Sequence, residues 1–134
     1  QGTREEDGAA AFLSMLDLSH DARKTACLVV EHAFQGFTAL LELQKKDEKC
    51  WVKITGLERA SSAGKPFHDA VPFAKALIDN APDHVLWGTD WPHPNVKVMP
   101  NDGDLVDLIP LYAPDAKIQH KLLVDNPARL FKFS

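Results

Sequence analysis

Three short apolar runs, separated by helical patterns, constrain the fold of this 134-residue chain more than any other feature. The runs at 26–30, 51–55 and 84–89 predict strands, because they are continuously apolar or rich in β-branched residues. Amphipathic patterns at 34–46 and 69–81 predict helices between them. Strands that alternate with helices form βα units, so we expect an α/β fold built on a parallel sheet.

Further helices are predicted from apolar spacing and start signals at 8–18, 104–112, 116–124 and 128–131. We expect Asn126 to cap the last of these, with Pro127 at its first position. Residues 57–68 and 90–103 are expected to be loops, and 1–7 a frayed end. No repeat or linker divides the sequence, so we expect all 134 residues to form a single domain.

Composition argues against several function classes. A net charge of −4 and a pI near 5.8 leave no basic block for nucleic acid or an anionic membrane surface. No apolar run approaches the roughly 20 residues of a membrane span, and the first residues are too acidic for a targeting peptide. Because no Met opens the chain, we expect the gene product to begin before residue 1. Cys27 and Cys50 cannot form a disulfide framework, so we expect buried free thiols in a reducing, cytoplasmic compartment.

The carboxyl ends of the predicted strands are where a parallel α/β protein collects its reacting residues. Asp90 stands where the third strand leaves the sheet, and His93 follows between two prolines that we expect to hold the backbone extended. Asp90 could be a general base on water or a metal ligand. The alternative is structural: Asp90 caps the loop and His93 is a turn residue.

The other two strand ends also carry polar side chains. Arg59 suits a substrate carboxylate, because its guanidinium is forked and permanently charged, although a surface ion pair of Glu58 or Arg59 is the alternative. A neutral imidazole at His32 could bind substrate or metal, or could be a hydrogen-bonded loop residue. Lys53, inside a strand, is a functional amine or, more commonly, a snorkelling side chain. No HxH, HExxH or CxxC pattern occurs, so these motifs do not build a complete metal site.

Four colinear segments resemble the amidohydrolase-2 (amidohydrolase-related) family, and within it the 2-pyrone-4,6-dicarboxylate hydrolases. The strongest is Trp-Gly-Thr-Asp-Trp-Pro-His-Pro-Asn at 87–95, and the others lie at 51–59, 99–105 and 122–131. The resemblance covers about residues 26–133. It implies the C-terminal half of a (β/α)8 TIM barrel of the metal-dependent-hydrolase type, since a full barrel takes about 250 residues.

The resemblance also implies an activity and a set of site residues. Such enzymes hydrolyse a lactone or related bond, here a small carboxylated lactone, in aromatic catabolism and without an essential cofactor. Asp90 resembles their general base and Arg59 their clamp on a substrate carboxylate, while His93 and His32 would orient the substrate. Glu31 departs from the family pattern, which has Asp before that histidine.

Two other functions stay open from the sequence. Zinc-dependent relatives use the same Asp as a ligand, so a zinc-dependent decarboxylase or hydrolase is one alternative. A non-catalytic half-barrel that oligomerises is the other. In either case half a barrel leaves strand edges and helix faces uncovered, so we expect self-association or association with the missing N-terminal half.

Overall fold

A computed structural model describes residues 25–29, 34–94 and 96–133 of the chain. The predicted helix at 8–18 and the candidate His32 lie outside these residues. Within the described part, no helix is long and apolar enough to cross a membrane.

The centre of the fold is a three-stranded parallel sheet in the order β1-β2-β3, formed by β1 (Thr25–Val29), β2 (Trp51–Thr55) and β3 (Val85–Trp87). The predicted parallel α/β arrangement is therefore confirmed. The third strand is shorter than predicted, because the His84 amide donates to Ala81 in a turn. The Gly88 amide still donates to Ile54 at 3.1 Å, so β3 stays attached to β2 until the chain leaves the sheet.

Two crossover helices connect the strands as predicted. The first is α1 (Phe34–Lys46). Its last turn contains Lys45 and Lys46, whose positive charges interact favourably with the helix dipole. Between β2 and the second crossover helix, the expected loop at 57–68 contains a short helix, α2 (Leu57–Ala60). Gly56, at φ 69°, turns the chain directly after β2, and Leu57 is then buried in the core. This turn decides where the next two side chains, Glu58 and Arg59, lie.

The second crossover helix, α3 (Val71–Asn80), follows a 3-10 turn at His68–Ala70. Pro72 lies in its first turn, the one place in a helix where a missing amide hydrogen costs nothing. Its apolar spacing predicts four residues on the core face, of which Ala74, Leu77 and Ile78 are buried and Val71 is half-buried against the core.

The predicted helix at 104–112 is two helices, α4 (Asp102–Val106) and α5 (Ile109–Tyr112). Pro110 lies in the first turn of α5, where a missing amide hydrogen is tolerated. The earlier start of α4 has a local cause, because the Asn101 side chain accepts a hydrogen bond from the Gly103 amide at 2.7 Å.

The C-terminal region is one continuous helical run: α6 (Ala116–His120), a π-helical segment (Lys121–Asp125) and α7 (Asn126–Phe131). Asp115 caps it by accepting a hydrogen bond from the Lys117 amide at 2.8 Å. The prediction that Asn126 is an N-cap is wrong, because Asn126 has helical backbone angles and lies inside the continuous helical run. Its buried side chain instead donates to the carbonyls of Pro82 and Val85, both at 2.8 Å, which ties the helix to the start of β3.

The core lies between the sheet and the helices on one of its faces. Alternate β2 residues, Val52 and Ile54, point into it and are almost fully buried. They pack with helix residues that include Leu40, Leu77, Tyr112 and Leu122. Cys50 is a buried free thiol, as predicted, and burial raises its pKa; the side chain of Cys27 is not among those described.

Candidate functional site

Arg59 and Asp90 meet at the carboxyl edge of the sheet, although 31 positions separate them in the sequence. Arg59 Nη2 donates to Asp90 Oδ2 at 2.8 Å, and each side chain is 22% exposed. The same guanidinium also donates to the carbonyl of Pro94, in the loop that carries Asp90. The pair is therefore held in place by protein contacts, and about a fifth of each side chain is exposed.

The loop after β3 turns back sharply to present Asp90. Asp90 has φ 67° and His93 has φ 55°, both in the left-handed region, and the His93 amide donates to the Asp90 carbonyl at 2.7 Å. The expectation of an extended backbone around His93 is therefore wrong. Asp and His tolerate left-handed backbone better than most residues, so a hydrogen-bonded turn can form here at modest cost.

Gly88 leaves room for the Lys53 side chain beside the site. A Cβ at this position would lie 2.5 Å from Lys53 Cε and 3.1 Å from its Nζ. Lys53, on β2, therefore runs directly over the chain two residues before Asp90, and its stem is partly buried there. A larger residue at 88 would require the flexible end of the Lys53 side chain to move aside.

His93 lies deeper than its position in a proline-rich loop indicates. Its ring is 2% exposed, with Nε2 2.8 Å from Asp102 Oδ1 and Nδ1 3.5 Å from Glu58 Oε1. The predicted contact with substrate stays a prediction, but both ring nitrogens already face carboxylates. Sequence reasoning missed Asp102 and Glu58 as parts of this site.

Glu58 is the least expected of these groups. The sequence predicts for it at most a surface ion pair, yet its side chain is 4% exposed and neither carboxylate oxygen accepts a hydrogen bond from the described residues. The one signal in the sequence that could have placed Glu58 at the site is its position next to Arg59, just after the end of a strand. The short helix α2 turns Glu58 inward and leaves Arg59 at the site.

Three of these residues could in principle hold a metal ion. Ligand atoms of Glu58, Asp90 and His93 lie within 4.8 Å of one another, and one imidazole with two carboxylates is a donor set that divalent transition metals accept. However, the Arg59 guanidinium already lies on the Asp90 carboxylate. A cation there would have to displace it or lie beside its positive charge, so the residues as arranged do not fit a metal at Asp90.

The remaining candidates are less informative. Trp91, the residue after Asp90, is 75% exposed and covers no part of the site. A cleft of about 700 Å³ lies at the amino ends of β2 and β3, between residues 44–49 and 80–84. It is at the opposite end of the strands from Asp90 and contains none of the predicted site residues.

A parallel sheet that carries an acid and its guanidinium partner at the carboxyl edge is an arrangement typical of α/β enzymes. The family model described as Amidohydrolase matches residues 12–133, so the chain belongs to the amidohydrolase family. This confirms the resemblance found in the sequence.

Three relatives show what the chain is similar to. It is 52% identical over 98 residues to a 4-sulfomuconolactone hydrolase of Rhizobium radiobacter, covering 71% of this chain and 32% of that protein. It is 47% identical over 104 residues to a 2-pyrone-4,6-dicarboxylate hydrolase of Comamonas testosteroni, covering 71% and 34%. An apo crystal structure from Agrobacterium tumefaciens superposes with a TM-score of 0.72 at 29% identity, covering 97% of this chain and 48% of that one. The chain thus spans about a third of the length of these curated relatives.

Proposed function

We propose that the described strands and helices form the C-terminal part of a (β/α)8 barrel in the full-length protein. Two observations support this. The strands are parallel and adjacent in chain order, with helices between them, as in a barrel wall. The chain also superposes on about half of the longer crystal structure from Agrobacterium tumefaciens. The active sites of such barrels lie at the carboxyl ends of the strands, which is where Asp90 and Arg59 are.

The activity we propose is hydrolysis of a lactone that carries a carboxylate, with Asp90 as the general base. The contact between Arg59 and Asp90, at 2.8 Å, carries the proposal. It places a fixed positive charge, suited to a carboxylate, beside a carboxylate that can accept a proton from water. The two relatives named as lactone hydrolases support the same substrate class.

In the proposed reaction Asp90 removes a proton from water, and the resulting hydroxide attacks the lactone carbonyl carbon. The ring carbon–oxygen bond then breaks, and the leaving oxygen takes the proton back from Asp90. One lactone and one water give one ring-opened carboxylic acid, so atoms and charge balance. Arg59 holds a substrate carboxylate so that the carbonyl lies beside the water. His32, outside the described residues, stays a predicted substrate contact.

Asp90→Asn tests the base in the full-length protein. An amide cannot take the proton from water, so we expect kcat for 2-pyrone-4,6-dicarboxylate to fall by about 10²–10⁴-fold, with the fold retained. Asp107→Asn makes the same chemical change at an exposed position outside the site, so this control variant should hydrolyse the lactone at the wild-type rate. Turnover and circular dichroism are measured together. Wild-type turnover by Asp90→Asn would remove the proposed role.

Chelation separates this proposal from the zinc-dependent alternative. Because the Arg59 guanidinium lies on Asp90, we expect prolonged dialysis against EDTA to leave lactone turnover unchanged. The measurement is kcat before and after dialysis, together with metal content. Loss of turnover that added zinc restores would show that a metal, rather than Asp90 alone, activates the water.

A further inference from the structure

Lys53 is a cation beside the site that the proposed reaction does not use. On β2, Val52 and Ile54 point into the core, so Lys53 between them projects from the opposite face of the sheet. Its side chain is half-buried, and its Nζ lies 3.1 Å from the position that a Cβ would take at Gly88. Among the residues that the structure describes, Lys53 forms no hydrogen bond or ion pair. Its charge is therefore available to a ligand.

The Lys53 ammonium lies within reach of a molecule bound at Asp90. Gly88 is two residues before Asp90, and two residues of extended chain span at most about 7 Å. Arg59, the other cation at this edge of the sheet, lies 2.8 Å from Asp90. In the barrel proposed above, the face that carries Lys53 lines the interior, next to the strand ends where active sites lie. One small molecule beside Asp90 can therefore meet both cations.

The charges at the site make a second cation necessary for a substrate with two anionic groups. The positive charge of Arg59 is already matched by Asp90 at 2.8 Å. Glu58 and Asp102 add two further carboxylates nearby. These carboxylates would repel a second anionic group on the substrate unless a separate cation met it. Lys53 supplies that cation, as a compact charge on a flexible stem with three donor hydrogens.

We propose that Lys53 determines specificity: its ammonium binds the second anionic group of a lactone whose first carboxylate lies on Arg59. This inference rests on the proposed function and narrows its substrate class, from a lactone with one carboxylate to a lactone with two anionic groups. Gly88 has a defined part in it, because the absence of a side chain there leaves the space in which the ammonium lies.

Lys53→Met tests the subsite in the full-length protein, because it removes the charge and keeps an unbranched stem. A lost hydrogen bond between two charged groups should raise KM for 2-pyrone-4,6-dicarboxylate about 10- to 100-fold. The same KM is measured for 2-pyrone-4-carboxylate and 2-pyrone-6-carboxylate. The monocarboxylate that lacks the group bound by Lys53 should show little change in KM. Lys53→Gln also removes the charge and should give the same selective rise, should Lys53→Met fail to fold.

Lys117→Met is the matched control, since it makes the same change at an exposed position on α6 and should keep the wild-type KM for all three substrates. If Lys53 only balances the charge of the nearby carboxylates, its removal should weaken all three substrates equally. An equal rise in KM for the three substrates, or no rise for the dicarboxylate, would overturn the proposal.

Calorimetric titration with 2-pyrone-4,6-dicarboxylate separates this subsite from the proposed hydrolysis. If the wild-type protein hydrolyses no lactone but binds the dicarboxylate about 10-fold or more tightly than Lys53→Met does, the proposed function fails and the subsite stands. If the wild type hydrolyses the dicarboxylate and Lys53→Met has the same KM, the proposed function stands and the subsite is wrong. Equal affinity of both proteins for the dicarboxylate also overturns the subsite.

Discussion

At the residue scale, the site brings three carboxylates, one guanidinium and one imidazole close together. Asp90 and Arg59 could be predicted from sequence because both follow strands whose carboxyl ends share an edge. Glu58 and Asp102 could not, since an acid next to an arginine, or at a helix start, is ordinarily on the surface. Only the path of α2 and of the 90–101 loop decides that these two carboxylates face one ring.

Arg59→Lys tests the clamp without removing the positive charge. One nitrogen, Nη2, donates to both Asp90 and the Pro94 carbonyl, so the rest of the guanidinium can face a substrate carboxylate. An ammonium has a single nitrogen, and when held by these two acceptors it cannot also offer the paired N–H groups that suit a carboxylate. We expect KM for 2-pyrone-4,6-dicarboxylate to rise about tenfold or more, and KM for a neutral lactone to change much less. Lys65→Arg, an exposed substitution outside the site, serves as the control. Equal changes in KM for both substrates would remove the clamp.

At the element scale, strands and long helices were predictable and short helices were not. The bounds of α1 and β2 agree with the prediction, because each has a clear periodicity and a clear stop. The four residues of α2 carry too little pattern to be recognised, and only the left-handed Gly56 and the buried core make them helical. At 126, the Asn-Pro pair is typical of a helix start, but the buried Asn side chain instead donates to the carbonyls of Pro82 and Val85.

The turn between α2 and α3 gives a pH-dependent prediction. Asp69 accepts hydrogen bonds from the Ser61 hydroxyl at 2.5 Å and from the Ser62 and Ala63 amides, which lower its pKa from 3.8 to about 2, with the Ser61 bond the largest cause. Because the folded state lowers the pKa of Asp69, its carboxylate stabilises the fold at pH values above 3.8. This stabilisation is lost as the pH falls toward about 2.

Asp69→Asn should therefore lower the urea midpoint at neutral pH and remove part of its fall between pH 3.8 and about 2. Ser61→Ala removes the strongest of the hydrogen bonds, so its effect should have the same sign and be smaller. The measurement is the urea midpoint at several pH values across this range. A wild-type-to-Asn difference that is the same at every pH would show that the carboxylate hydrogen bonds do not provide this stability.

At the scale of the whole molecule, the sheet is the feature that calls for a partner. Its order and parallel direction were predictable from the alternation of patterns, and the family from four short segments. Neither the alternation of patterns nor these segments predicts what pairs with the edge of the sheet, because a strand's sequence does not identify its neighbour. Within the described residues β3 bonds to β2 on one side and to no strand on the other. An edge with free amides and carbonyls pairs readily with another strand.

We therefore expect the 134-residue chain, prepared alone, to self-associate at micromolar concentrations through this edge. Sedimentation velocity over a dilution series should show a sedimentation coefficient that rises with concentration. The exposed apolar side chains of Val98 and Met99 offer a competing cause, since patches of this kind also associate. A Val98→Asp, Met99→Asp double variant distinguishes the two, because pairing at β3 would persist in it. A chain that stays monomeric at every concentration contradicts the prediction, and association abolished by the double variant assigns it to the loop.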